Sequence, residues 1–114
     1  MIKAKSYQFA LNIIKLYQYL SKEKHEYILS KQLLRSGTSI GANIEEALAG
    51  SSRKDFINKM SIASKEARET IYWIRLLIDS GIVEEKMALK QLQEADELVR
   101  LLTSIVKTSS QNSN

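Results

Sequence analysis

The hydrophobic residues of this chain recur at steps of three and four positions, which is the period of an amphipathic α-helix. The first such stretch covers residues 2–20, and Ile14 is assigned to the edge of its apolar stripe. A polar break at residues 21–27 separates it from a second stretch, residues 27–49, which ends at Gly50. No stretch shows the alternation of a β-strand, so the pattern predicts helices throughout.

A third helix has a clear start signal at Ser52. Asp55 lies three residues later, in the spacing of a capping box, and Phe56 opens the apolar run. This helix is predicted to end at residues 79–81. A fourth is predicted over residues 84–107, with two acidic residues in its first turn, where the helix dipole favours negative charge.

Four helices of similar length with short connections predict an all-α fold, an up-down-up-down antiparallel four-helix bundle. The bundle is expected to occupy residues 1–107 as one domain, because 114 residues are too few for two. Residues 108–114, "TSSQNSN", are uniformly polar and are predicted to form a disordered tail.

The stretch "RSGTSIGANIEEA", residues 35–47, contains the G-x-S-x-G pattern of esterases. An esterase serine sits on a strand-to-helix turn, and the triad histidine follows it in the chain. Here the preceding segment is predicted to be helical, and the single histidine, His25, lies upstream. The pattern therefore predicts Ser39 as a packing residue and not a nucleophile.

The two glycines of this stretch, Gly37 and Gly41, fall on the apolar side of the second helix. Each glycine inside a helix costs about 1 kcal/mol relative to alanine. A close approach by a neighbouring helix would explain why both side chains are missing, since the G-x-x-x-G spacing places the two gaps one turn apart. We therefore expect Gly37 and Gly41 to form a helix-packing contact.

A second stripe on the same helix consists of small or polar residues at steps of three and four. Its members are Gln32, Ser36, Ser39, Asn43 and Glu46. Small polar residues at this spacing favour a tight helix contact, within one chain or between copies, in which Asn43 hydrogen-bonds across. The alternative is a solvated face, although such faces usually carry Lys and Glu.

The segments "QLLRSGTSIGANIEEA" and "SSRKDFINKMSIASKEARE" resemble a known family. They are similar to bacterial four-helix-bundle proteins encoded within intervening sequences of 23S ribosomal RNA genes. The residues that match the family pattern are Gln32, Arg35, Ser39, Ile40, Asn43, Ile44 and Glu46, then Arg53, Lys54, Asp55, Phe56 and Ile57. The chain departs from the pattern at Gly41, where the family often has proline, and at residues 45–47 and 65–69.

This resemblance implies an assembly and a partner. Family members are similar in fold to the accessory variability determinant of diversity-generating retroelements, a pentameric ring with a basic surface that works with nucleic acid and reverse transcriptase. The resemblance therefore implies a homo-oligomer, with a pentamer favoured, that binds RNA or DNA. The alternative function is a protein–protein interaction adaptor with no role in nucleic-acid binding.

Composition narrows the chemistry further. The chain has no cysteine and one histidine, which excludes thiolate metal sites and a His-rich zinc site. No set of residues with catalytic roles is recognisable, so we expect a protein that is not an enzyme and needs no cofactor. The absence of cysteine fits the cytoplasm. The N-terminus shows neither a signal peptide nor a membrane span.

The net charge of +4 is unevenly distributed. Residues 1–44 carry seven lysines and arginines against two acids, whereas the remainder carries ten against eleven. An electropositive face on the first half is therefore expected, the alternative being lysines that serve only solubility. The residues predicted to contact RNA or DNA phosphates are Lys3, Lys5, Lys15, Lys31, Arg35, Arg53 and Lys54.

Two features suggest contacts between copies of the chain. On the fourth helix, Leu98, Leu101 and Ile105 make the apolar stripe wider than one bundle core requires. On the third helix, Trp73 shares a face with two glutamates, and partly exposed tryptophan is enriched at interfaces. The alternative is that Trp73 only covers the core. The residues predicted to form helix-packing or oligomer contacts are Gly37, Ser39, Gly41, Asn43 and Trp73.

Overall fold

The computed structural model describes residues 1–50 and 52–111. It contains four helices: α1 (Ile2–Lys22), α2 (Leu29–Ala49), α3 (Arg53–Asp79) and α4 (Glu85–Gln111). Contacts join α1 to α2, α2 to α3, α3 to α4, and α4 back to α1. No strand occurs in the described residues. The predicted all-α, up-down-up-down antiparallel four-helix bundle is confirmed.

The start of α2 differs from the prediction, because Leu29 and not residue 27 begins the helix. The carboxylate of Glu26 accepts hydrogen bonds from three successive backbone N–H groups, those of Ile28, Leu29 and Ser30, at 3.2, 3.0 and 2.7 Å. These backbone N–H groups lie in the first turn of α2, where N–H groups have no hydrogen-bond acceptor within the helix. Glu26 therefore caps α2 from the preceding loop.

The ends of α3 and α4 follow the sequence signals in part. Ser52 caps α3 as predicted, since its side chain accepts from the backbone N–H of Asp55 at 3.1 Å. Gly81 follows α3 with a φ of +81°, the left-handed region that glycine tolerates best. The fourth helix continues to Gln111, past its predicted end, so residues 108–111 are helical. Residues 112–114 of the predicted tail lie outside the described part.

The core receives buried side chains from all four helices. Leu98 is 2% exposed and belongs to this core, and the half-buried Ile105 packs against it. Because α4 contacts both α1 and α3, it needs an apolar stripe broad enough for two neighbours. The bundle itself thus accounts for Leu98 and Ile105, whereas Leu101 is half-buried outside this core and its role in a contact between copies stays a prediction.

The close approach expected at the two α2 glycines is made by α1 of the same chain. A Cβ on Gly37 would lie 2.8 Å from the Cγ2 of Ile13, and one on Gly41 would lie 3.4 Å from the carbonyl oxygen of Ser6. Any larger side chain at Gly37 would require Ile13 or α1 to shift. No helix in the described residues is long and apolar enough to cross a membrane.

Candidate functional site

The polar stripe of α2 makes one buried bond to α3. The hydroxyl oxygens of Ser36 and Thr70 lie 2.9 Å apart, and both residues are fully buried. The Thr70 hydroxyl also lies 2.8 Å from the carbonyl oxygen of Glu66 in its own helix. A hydrogen-bonded hydroxyl pair therefore joins the two helices inside the core.

Glu46, at the end of this stripe, also reaches α3, since its Oε1 lies 3.1 Å from the Nζ of Lys59. Ser39 and Asn43 bond within α2 instead. Ser39 donates its hydroxyl to the carbonyl oxygen of Arg35 at 2.6 Å, and Asn43 donates its amide to the carbonyl oxygen of Ser39 at 2.8 Å. Within the described residues Asn43 thus makes no hydrogen bond to another helix of the same chain, because its amide is directed to the carbonyl one turn earlier. Its role in a contact between copies stays a prediction.

Arg35 lies in an ion-pair cluster between α2 and α3. One Nη atom is 3.1 Å from the Oε2 of Glu66, and the other pairs with Glu69. The Nε of Arg35 donates to the Oε1 of Gln32 at 3.2 Å, and the Nε1 of Trp73 donates to the Oε2 of Glu69 at 2.9 Å. We call these five residues the Arg35 cluster.

The Arg35 cluster changes what two predicted site residues can do. Its two carboxylates outweigh the single guanidinium, so Arg35 does not contribute a net positive surface here. Trp73 is half-buried and tied to Glu69, which fixes its ring against the α2–α3 pair. Its role as a contact between copies stays a prediction.

The remaining predicted phosphate ligands lie on different faces of the bundle. Lys5 pairs with Glu97 of α4, with its Nζ 2.6 Å from Oε1. Lys15 lines a groove of about 200 Å³ between α1 and α4. Lys3 lies on the opposite flank of α1, in a cavity that Glu45 of α2 also lines.

The last three of these cations are exposed and sit on other elements. Lys31 is near the start of α2, whereas Arg53 and Lys54 occupy the first turn of α3. α2 and α3 run in opposite directions, so Lys31 lies far along the bundle from the other two. The structure thus does not bring the seven predicted residues together.

A basic groove is found instead between α3 and α4. It has a volume of about 360 Å³ and a lining of cations, hydroxyl groups and one valine, without a carboxylate. The lining residues are Ser61, Ser64, Lys65 and Arg68 of α3 with Thr103, Val106 and Lys107 of α4. We call this the α3–α4 groove. None of its three cations forms an ion pair with a carboxylate anywhere in residues 1–50 and 52–111.

The sequence "KEARE", residues 65–69, explains how α3 separates its charges. Residues three apart share a helix face, whereas adjacent residues point about 100° apart. Lys65 and Arg68 therefore line the groove to α4, while Glu66 and Glu69 meet Arg35 of α2.

The positive side of α3 extends beyond the groove. Exposed cations lie near the same angular position along the helix, and we call them the α3 basic stripe: Lys54, Lys65, Arg68 and Arg75. Tyr72 lies on this side too and is 52% exposed. Its ring contacts that of Trp73 edge-on, with centroids 5.1 Å apart and an interplanar angle of 67°.

Sequence reasoning missed the α3–α4 groove because it summed charges over half-chains. The acids of residues 45–114 cancel the bases in that sum, yet many of them lie on other faces. The sequence signal for the groove is in "KEARE", where the basic residues and the acidic residues fall on different faces of the helix. Adding up the charges of each helix face separately would have revealed it.

A further surface lies on the outer side of α1. Its apolar residues recur at helical spacing and form what we call the α1 apolar stripe: Ala4, Tyr7, Leu11 and Ile14. Tyr7 is 60% exposed, and Leu11 and Ile14 are 38% and 37% exposed. The assignment of Ile14 to the core-facing stripe is therefore corrected, because its side chain points outward.

The described residues offer no evident catalytic or metal-binding arrangement. No group of three or more His, Cys, Asp or Glu in residues 1–50 and 52–111 is placed to hold a metal ion. His25 has its Nδ1 3.1 Å from the hydroxyl of Tyr27. Ser39 lies within α2 and bonds to its own backbone.

Fold and surface together define a small antiparallel helical bundle with a cation-lined groove. The chain belongs to the family of 23S rRNA-intervening sequence proteins, whose model matches residues 1–104. The predicted family membership is thereby confirmed. The likeness to the retroelement determinant stays a prediction.

One solved structure is similar over almost its full length. It is the crystal structure of a protein with unknown function from the S23 ribosomal protein family of Bacteroides thetaiotaomicron. The two sequences are 48% identical, the match covers 94% of this chain and 99% of the other, and the TM-score is 0.92. No curated protein matches the chain.

Proposed function

We propose that this protein is a non-enzymatic oligomeric scaffold that binds RNA or DNA through a basic surface. The observation that carries the proposal is the α3–α4 groove, in which Lys65, Arg68 and Lys107 face solvent without a carboxylate partner among the described residues. Lysine and arginine contact phosphates, and serine and threonine hydroxyls donate to phosphate oxygens as well. The groove offers both kinds of donor side by side.

The surface proposed here differs from the one expected from the sequence. Arg35 and Lys5 are engaged with carboxylates, so a phosphate would have to displace those partners. The groove cations have no such competitor. We therefore assign the main phosphate contacts to the α3–α4 groove, with the α3 basic stripe extending it along the bundle.

The oligomeric part of the proposal is supported by the α1 apolar stripe. Contiguous exposed apolar residues mark interaction surfaces on small proteins. Lys3 and Glu45 flank the stripe with opposite charges, which suits contact with another copy of the chain. The resemblance noted above favours a ring of five. A ring would repeat the basic groove on each subunit, so weak contacts would add up by avidity.

The proposal is tested by binding and mass measurements on nuclease-treated protein. We expect a particle of several times the 13.0 kDa chain mass by light scattering. Fluorescence anisotropy with structured RNA should give an affinity that falls steeply as salt rises, because phosphate contacts release counterions.

A pair of charge-matched variants locates the binding surface. Lys65→Glu/Arg68→Glu/Lys107→Glu should abolish binding. Lys15→Glu/Lys31→Glu/Lys90→Glu changes net charge equally at exposed positions outside the groove and should reduce affinity only modestly. Equal losses in both variants would contradict the groove assignment. If the wild-type protein binds neither RNA nor duplex DNA at low salt, nucleic-acid binding is contradicted. That result would favour the adaptor function, with the α1 apolar stripe as the docking surface.

A further inference from the structure

Tyr72 is an aromatic residue placed among the cations of the α3 basic stripe. It lies one turn after Arg68 and about one turn before Arg75, on the side of α3 that carries both arginines. More than half of its surface, 52%, is exposed, although α3 offers buried positions for apolar side chains on its core side. The bundle therefore does not need this ring for its core.

The ring of Tyr72 is supported from beneath by a chain of contacts. Its edge-type contact with Trp73 has centroids 5.1 Å apart, and Trp73 in turn donates its indole N–H to Glu69. Glu69 is held by Arg35 of the neighbouring helix. These contacts restrict the tyrosine side chain while leaving it open to solvent.

We propose that Tyr72 is a stacking platform for an unpaired base, so that the α3 basic stripe binds single-stranded nucleic acid in preference to duplex. This inference rests on the proposed function. In a duplex, each base is already stacked between its neighbours and only phosphates and groove edges are accessible. An unpaired base can leave its neighbours and stack on an aromatic side chain while cations hold the backbone on either side.

The dimensions of the surface suit a short strand. From Lys54 to Arg75 the α3 basic stripe extends about 30 Å along the helix axis, at about 1.5 Å per residue. This length accommodates several nucleotides, with Lys54 at one end, Tyr72 and Arg75 near the other, and the groove cations Lys65 and Arg68 between them. Because every base has a π-face, such a site is tolerant of sequence.

The test compares one RNA strand of about 12 nucleotides, without self-complementarity, with the same strand in a duplex. Tyr72→Leu removes the ring but keeps an apolar side chain, whereas Tyr72→Phe keeps the ring. Stacking contributes about 1–3 kcal/mol per base. We therefore expect Tyr72→Leu to weaken single-strand binding by about five-fold or more, with duplex affinity unchanged and Tyr72→Phe close to wild type.

The outcomes separate this inference from the proposed function. If Tyr72→Leu leaves single-strand affinity unchanged, or weakens both probes equally, the stacking platform is overturned. The groove assignment then still stands, provided that Lys65→Glu/Arg68→Glu/Lys107→Glu abolishes binding. If the wild-type chain binds neither probe at low salt, both proposals fail. Circular dichroism melting of each Tyr72 variant checks that the bundle is intact, as expected for an exposed position.

Discussion

Gly37 of α2 faces Ile13 of α1 so closely that a Cβ on the glycine would lie 2.8 Å from the Ile13 Cγ2. Ile13 is fully buried, and its own Cβ, which side-chain rotation does not move, would lie 3.2 Å from the added Cβ. The missing side chain at Gly37 thus sets the distance between the two helices. Interiors are packed densely enough that even one methyl group is felt at such a contact.

Replacing Gly37 with alanine should therefore destabilise the protein. Overpacking costs about 1–3 kcal/mol, while removing a glycine from a helix returns about 1 kcal/mol. We expect a net loss of about 1 kcal/mol in the free energy of unfolding, measured by urea denaturation at one fixed protein concentration. Gly41→Ala is the matched control, because a Cβ there would lie 3.4 Å from the Ser6 backbone. This variant should be as stable as the parent or more stable by up to about 1 kcal/mol, since it gains helix propensity without a severe clash. A Gly37→Ala protein as stable as the parent would contradict this packing account.

The buried hydroxyl pair of Ser36 and Thr70 gives a second prediction. Thr70→Val keeps the side-chain shape but leaves the Ser36 hydroxyl with only a weak bond, 3.5 Å from the carbonyl of Leu33. An unsatisfied buried polar group costs about 1–3 kcal/mol. Denaturation should show a loss in that range for Thr70→Val, and the Ser36→Ala/Thr70→Val pair should lose less than the sum of its single variants. Strict additivity would argue against an energetic coupling between the two hydroxyls.

A third prediction concerns Arg35, for which sequence and structure lead to different expectations. Arg35→Gln removes the ion pairs with Glu66 and Glu69, which are partly exposed and so contribute about 1 kcal/mol or less. We expect this small loss of stability and a change in RNA affinity of less than about three-fold, a long-range charge effect. Arg68→Gln, one cation of the α3–α4 groove, should weaken RNA binding clearly and leave stability unchanged. The reverse ranking in anisotropy titrations would restore Arg35 as a phosphate ligand.

The salt dependence of binding gives a fourth prediction. Each phosphate contact with a single strand contributes about 0.7 to the slope of log affinity against log salt concentration. The three groove cations alone therefore predict a slope of about −2, and contacts with the rest of the α3 basic stripe would make it steeper. Arg68→Gln should make the slope shallower by about 0.7. Titrations over several salt concentrations measure both values. A slope near zero for the wild-type chain would mean that phosphates are not what the groove holds.

The sequence was sufficient for the fold because helical period and capping signals act locally. The stripe of α2 and the Ser52 cap of α3 both follow from residues within one or two turns. The start of α2 was misplaced because Glu26 caps it from the loop. Ile14 was misplaced because an apolar residue at the edge of a stripe can face either core or solvent, and only the position of the neighbouring helix decides.

The candidate site was harder to predict from the sequence than the fold, because it depends on which helix faces pack against each other. The sequence around Arg35 predicts a free cation, because its two acidic partners lie 31 and 34 residues further along the chain. The positive and negative charges of α3 cancel when they are summed along the sequence, but they lie on different faces of the folded helix. Pairing between helices, which no local pattern encodes, decides which cations remain available to a ligand.

The division of charge on α3 also bears on the handedness of the bundle. Four helices with the same buried residues can be arranged in a left-turning or a right-turning order around the core. Reversing the order would turn the Glu66 and Glu69 flank of α3 away from α2, and Arg35 away from α3. The ion pairs would then be lost, and the glycine gap of Gly37 would no longer receive α1. Burial of the same hydrophobic residues alone leaves the two mirror-related topologies nearly equal in energy. The ion pairs of Arg35 and the contact of Gly37 with α1 favour the observed one.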